Sequence, residues 1–137
     1  MALELYALLP QRVLPQRQQW QAAIEALGLP VVLDPELDLP RTTGFRPCIV
    51  SGQASGCEIM IDSPVELVAA YPALQTAGIQ YSTAISLRWG GDLRECACAM
   101  AAAAGLVSSW GAVAYYPDDD LVYSLADLQR DFRECVS

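Results

Sequence analysis

The sequence predicts one α+β domain over residues 1–137: a two-layer α/β sandwich with a mixed, mostly antiparallel sheet, helices on one face, and a ferredoxin-like core as one form of it. Three observations predict it. Segments of period two alternate along the chain with segments of helical period. Two adjacent strand segments read as a hairpin, and two strand–helix–strand crossovers remain, whose right-handedness would set helices on one face. A nearly charge-free, alanine-rich stretch in the middle can only be stable between layers.

That middle stretch organises the rest. Over residues 81–89, Tyr81, Thr83, Ile85, Leu87 and Trp89 fall on one face and Ser82, Ala84, Ser86 and Arg88 on the other, the alternation of a half-buried strand. Gly90-Gly91 ends it. Asp92 follows as an N-cap, with Glu95 three residues on in the manner of a capping box. A helix is predicted from residue 93 to about 107, with Arg94 and Glu95 its only charges, Ser108-Ser109 its exit, and residues 111–116 the next strand. No charge occurs from Cys96 to Tyr116, long enough to raise a transmembrane reading. Its Ala-, Ser- and Gly-rich character and the Asp118-Asp119-Asp120 that follows argue against it, and no membrane partner is expected.

The other elements follow in order. Residues 2–9 read as an opening strand with Leu3, Leu5, Ala7 and Leu9 inward and Glu4 outward, stopped by Pro10. Residues 16–27 form a helix with Trp20, Ala23, Ile24 and Leu27 on one stripe and Gly28 closing it. Residues 31–33 make a short buried strand. The acidic, proline-punctuated 34–45 segment carries Asp34, Glu36 and Asp38 but lacks the glycine and terminal glutamate of a calcium loop, so a solvated loop is expected. Residues 46–51 and 57–62 form a hairpin over a longer GQASG loop, with Ile49, Ile59 and Ile61 in or beside one buried set. Ser63 and Pro64 open a helix with Leu67, Val68, Tyr71 and Leu74 on its stripe, ended or bent by Pro72, and residues 75–80 return to the central strand. After a PDDD turn, Ser124 caps a last helix to about Cys135, with Leu125, Leu128 and Phe132 inward.

Composition excludes several chemistries. The chain has no histidine and its eight bases are all arginine, which removes a histidine base or ligand, a Schiff-base lysine and a P-loop lysine, so no enzyme built on them is expected. A net charge of −8 argues against nucleic acid as a partner. Hydrophobic residues make up 53% of the chain, a surplus expected to lie in part at a protein or subunit interface. The residues after Met1 do not read as a signal peptide, so a cytoplasmic setting is expected, with Cys48, Cys57, Cys96, Cys98 and Cys135 reduced and packed as small apolar groups. Cys96 and Cys98 are two apart on a helix, hence about 200° apart around it, and cannot grip one ion together. No cofactor and no metal site is expected.

The candidate surface residues are Arg88 and Trp89, types favoured as interface anchors, with core burial the simpler reading of Trp89. Asp92 beside Gly90-Gly91 borders a potential anion site, yet its own carboxylate already fills the positive helix end. Asp118, Asp119 and Asp120 form a solvated turn or an electrostatic handle for a basic partner. The stretch RWGGDLRECACAMAAAAGLVSSWGAVAYYPDDD resembles segments of small, uncharacterised bacterial cytoplasmic proteins. The resemblance implies a bacterial source, which the all-arginine basic set also fits, and implies no activity.

The reading that combines these features is an acidic protein-binding module, in its specific form an immunity- or antitoxin-like inhibitor that covers a basic effector. Two alternatives stand beside it: a homo-oligomeric accessory protein, and a small-ligand or enzymatic domain using Arg88, Asp92 and Tyr81 or Tyr115 in a pocket at the sheet edge.

Overall fold

The computed structural model describes residues 3–10, 12, 14–75 and 80–137. In chain order the elements are β1 (Leu3–Leu9), α1 (Arg17–Ala26), β2 (Val31–Leu33), β3 (Phe45–Val50), β4 (Gln53–Asp62), α2 (Pro64–Ala70), β5 (Thr83–Trp89), α3 (Leu93–Trp110), β6 (Val113–Tyr116), β7 (Leu121–Tyr123) and α4 (Leu125–Val136). Short 3-10 turns occupy Leu39–Arg41 and Pro72–Leu74. Ala2, expected to begin the first strand, and residues 76–79 of the expected 75–80 return lie outside the described residues.

The α+β sandwich is the fold, with three corrections of detail. The strands form one sheet in the order β2-β3-β4-β5-β1-β6-β7, and every neighbouring pair is antiparallel, so the sheet is not mixed. Its centre is not ferredoxin-like: β1 lies between β5 and β6, and the β1–α1–β2 crossover spans β5, β4 and β3. Nor are all helices on one face. Leu5, Ala7 and Leu9 of β1 and Ile85, Leu87 and Trp89 of β5 pack beneath α1, α3 and α4. Tyr6, Leu8, Ala84 and Tyr115 point the other way and are covered by Leu67 of α2 and Leu74. The physical reason is in the alternation itself: the second face of β1 carries Tyr6 and Leu8, too apolar to leave wet, and α2 covers them.

The alanine-rich α3 is buried from Ala97 to Leu106, between the sheet and the helices α1 and α4. Its small side chains let α1 come close. At Gly105 an added Cβ would meet Ile24 Cγ1 at 3.1 Å and Trp20 Cδ1 at 3.3 Å. The fully buried Trp20 sends its indole N–H to the Ala102 carbonyl at 2.9 Å. Asp92 caps α3 as expected, accepting from Arg94 N at 2.7 Å. The helix does not leave at Ser108-Ser109; it runs on to Trp110 and stops at Gly111, whose φ of 65° is the left-handed conformation glycine tolerates best. Among the described residues no helix is long and apolar enough to cross a membrane.

Other local departures have equally simple causes. Ser51 and Gly52, both at positive φ, make a two-residue turn between β3 and β4, so the hairpin is tight and β4 begins at Gln53. Of the expected isoleucine set only Ile59 is buried; Ile49 and Ile61 are exposed. The strand β7 lies where the sequence reading passed directly from turn to helix, and α4 opens with a full capping box between Ser124 and Asp127.

Candidate functional site

The face of the sheet that α2 covers is only half covered. Over β5, β1 and β6 it is closed by Leu67, Leu74 and Tyr71. Over β2, β3 and β4 it is open, and register fixes what lies there. Val32, Ile49 and Ala54 form one cross-strand row, Pro47 and Gly56 a second, and Phe45, Glu58, Arg88 and Glu4 a third. The first two rows carry no charge. Val32 is 42% exposed, Ile49 46% and Phe45 58%, large values for apolar side chains standing side by side on a sheet. A shallow depression of about 230 Å³ lies among Val32, Pro35, Pro47, Ile49 and Ala54. Phe45 lies over Gly56: an added Cβ there would sit 2.9 Å from Phe45 Cε2 and inside contact of Phe45 Cζ and the Arg46 carbonyl oxygen. The glycine is the seat of the aromatic ring.

The charged row begins a line across the sheet. Arg88 Nε lies 2.8 Å from Glu4 Oε1, an ionic contact poorly directed for a hydrogen bond. Glu4 accepts from the Tyr6 hydroxyl. The Tyr6 ring stands 6.2 Å from that of Tyr71, which stands 5.1 Å from Tyr115, and Tyr115 donates to Asp120. Burial first, then the neighbouring carboxylate, raises both end phenols: Tyr115 is pushed up to about 12 and Tyr6 further. Burial, with Glu4 nearby, also raises the Asp62 carboxyl.

The expected site residues are therefore divided. Arg88 and Asp120 occupy the two ends of this line on one face. Trp89 faces the opposite way, 4% exposed, and stacks on Tyr116 with centroids 6.3 Å apart, so it is a core residue and not a surface anchor. Asp92 is committed to its helix cap and lines a separate cleft of about 450 Å³ with Val50, Ser51, Arg94 and Cys135. Asp118 and Asp119 are in the β6–β7 turn, both exposed. Tyr81 lines another depression, beside Pro64, Val65 and Val68. Arg88, Asp92, Tyr81 and Tyr115 thus do not gather in one pocket.

Two expectations about polar groups need correction. Asp34 is not a solvated loop carboxylate: it is buried, paired with Arg46 at 3.2 Å, and accepts from Glu36 N. The cysteines are not all separate apolar packing groups. Cys48 of β3 and Cys98 of α3 are paired, their Cα atoms 6.9 Å apart, with Cys57 Sγ 3.8 Å from Cys98 Sγ. Cys96 instead lies half-buried on the side of α3 near Cys135 and Asp131 of α4, and burial raises its thiol. The opposed directions of Cys96 and Cys98 follow from their spacing on the helix. No group of metal ligands is found among the described residues.

Sequence reasoning missed Gln21, Glu58 and Tyr6, and gave Tyr71 only a place on a helix stripe. Gln21 is 6% exposed and closes the outer edge of β2, donating to Val31 O at 2.9 Å and accepting from Leu33 N at 2.7 Å. Arg17 adds a bond to Leu33 O at 2.6 Å. An edge strand so occupied cannot recruit another strand. Period-two alternation within β1 and β4 would have put Tyr6 and Glu58 on one face of their strands, but not beside Arg88.

No protein-family model matches the chain, and neither a curated protein nor a solved structure does. The class the geometry defines is an α+β sandwich with a half-open sheet face.

Proposed function

We propose that the chain is an acidic protein-binding module that docks its partner on the open β2–β3–β4 half of the sheet. The single observation that carries this reading is the uncharged, exposed row of Val32, Ile49 and Ala54 with Phe45 beside it, on a chain of net charge −8. Apolar centre and charged surroundings are the anatomy of a docking surface. The surrounding carboxylates, with Asp118 and Asp119 at the far edge, favour a basic partner and speed its approach. In its specific form the module is an immunity- or antitoxin-like inhibitor of a basic bacterial effector, acting in the cytoplasm.

The test is affinity capture from the native cell with the wild-type chain and with Ile49→Arg. The reading expects a basic protein on the wild type, retained less as salt rises, and lost from Ile49→Arg at unchanged circular dichroism. Equal capture by both chains, or capture indifferent to salt, would refute it.

A second reading is a homo-oligomer. The same rows favour it, because an uncharged patch is where two copies of a −8 chain could meet without repulsion. Sedimentation decides between them: a wild-type dimer that Ile49→Arg turns into a monomer supports self-association, and a wild-type monomer at micromolar concentration removes it.

A further inference from the structure

The charged row and the apolar rows of the open face meet at Phe45 and Glu58, cross-strand partners on β3 and β4. The Ile59 amide donates to the Gly44 carbonyl at 3.0 Å, just outside that pair. In an antiparallel ladder this makes Phe45 and Glu58 a non-hydrogen-bonded pair, with Cα atoms about 4.5 Å apart and side chains in closest reach. The Phe45 ring is seated over Gly56, yet the residue stays exposed, so the glycine covers one side of the ring only.

The charges beside that ring do not cancel. Arg88 stands between Glu58 and Glu4 in its row, and its Nε lies 2.8 Å from Glu4 Oε1. One guanidinium between two carboxylates leaves one negative charge over. Asp34, which borders the depression, is held by Arg46 at 3.2 Å. Among the described residues, the half-buried Glu58 has neither an ion pair nor a hydrogen bond. An unpaired carboxylate beside an exposed ring receives a cation, and a guanidinium suits it better than an ammonium. Being planar, it can stack on the ring and aim two N–H groups at one carboxylate.

The depression begins two to four residues along β3, at Pro47 and Ile49, roughly 7–13 Å from Phe45 at the strand rise. Resting on the docking reading above, we infer that Phe45 and Glu58 clamp an arginine of the partner, while apolar side chains two and four residues along the same extended segment fill the depression. The occupant is thus a basic protein that presents an arginine next to an apolar stripe, and Glu58 is the residue that selects its charge.

The experiment titrates the folded, full-length chain with a probe peptide and follows it by nuclear magnetic resonance. The probe has an arginine at one end, a leucine at the other, and threonine, valine and threonine between them. Its counterpart carries citrulline, which keeps the shape of arginine without the charge. The arginine peptide is expected to shift the signals of Phe45, Glu58 and Ile49 and to bind about fivefold tighter than the citrulline peptide. Glu58→Gln and Phe45→Leu should each bring that ratio toward one. Glu134→Gln, which removes the same charge from α4, should leave it unchanged. Equal binding of the two peptides by the wild type overturns the inference, as does an undiminished ratio in Glu58→Gln or the absence of shifts at the three residues up to millimolar peptide. Should Phe45→Leu not fold, Glu58→Gln decides. A wild-type dimer that Ile49→Arg makes monomeric gives the face to a second copy and overturns it too. Ile49→Arg also keeps the two failures apart. If it weakens both peptides while the wild type does not tell them apart, the face docks apolar segments and only the clamp is wrong. If it weakens neither, the docking face is wrong and the clamp falls with it.

Discussion

Replacing Gly56 by alanine tests whether the open face is built as described. The new methyl would enter the space of the Phe45 ring, 2.9 Å from Cε2, and would also press on the Arg46 carbonyl oxygen. The ring can swing away, but the carbonyl belongs to the backbone of β3, paired with β4 through Arg46↔Cys57 and Pro47↔Gly56. Forcing the strands apart carries an overpacking cost of about 1–3 kcal/mol. Displacing the ring forfeits a cross-strand aromatic contact of about 0.2–1 kcal/mol. The expected loss is therefore about 1–4 kcal/mol, a fall in Tm of roughly 4–14 °C for a chain of this length. Phe45→Ala alone removes only the ring contact and should cost no more than about 1 kcal/mol. The double variant separates the two clashes. With the ring gone the carbonyl clash persists, so Phe45→Ala/Gly56→Ala should remain less stable than Phe45→Ala by about 1–3 kcal/mol in urea melts. Equal stability of those two chains would refute the reasoning, because it would leave the ring as the sole occupant of the space.

Two further predictions concern groups the open face does not use. Gln21→Ala removes both bonds along the outer edge of β2 and leaves Val31 O and Leu33 N without their side-chain partner; the expected cost is about 2–3 kcal/mol, with faster hydrogen exchange at the Leu33 amide, and an unchanged melt would contradict it. At high pH the tyrosines report on their own burial. Tyr115 and Tyr123 are pushed up to about 12, by burial first and then by carboxylates nearby, and Tyr6 is raised as well. A phenol whose folded value is raised stabilises the fold fully below its ordinary value near 10, and that contribution is lost as pH climbs through about 12. Tyrosinate absorbance and circular dichroism should thus change together in that window. Ionisation of all the tyrosines near pH 10 with the fold intact would count against it.

Much of this architecture could be read from the chain. Alternation in residues 81–89 placed Ile85, Leu87 and Trp89 together on the side of β5 that packs beneath the helices, but it did not show that Ala84 and Ser86 on the other side are buried as well. The cap at Asp92, the stripe of α1 and the capping residue of α4 are likewise local, set by a few adjacent side chains. Local steric and hydrogen-bonding preferences are written within one or two turns, so one sequence suffices to read them. The end of α3 was misread because Ser108-Ser109 weakens a helix without stopping it, while the left-handed Gly111 does stop it.

The candidate site was less legible. Alternation alone could place Phe45, Ile49 and Val32 on strand faces, but their standing in adjoining rows depends on which strands pair and in what register. That β1 would sit between β5 and β6, bringing Glu4 to Arg88 and Tyr6 toward Tyr115, is a pairing between segments some eighty and more residues apart. The burial of Asp34 and Gln21 depends equally on distant partners, Arg46 and the backbone of β2. By itself the sequence determined most of the elements, the inward faces of β1 and α4, the acidic composition and the chemistries closed to a chain without histidine or lysine, but not β7 or the outward turn of Ile49 and Ile61. Only the tertiary structure decided that α2 would cover one half of the second sheet face and leave the other open. The reason is that a helix of seven residues is too short to span seven strands, and it settles where Tyr6, Leu8 and Tyr115 offer the most apolar area to bury.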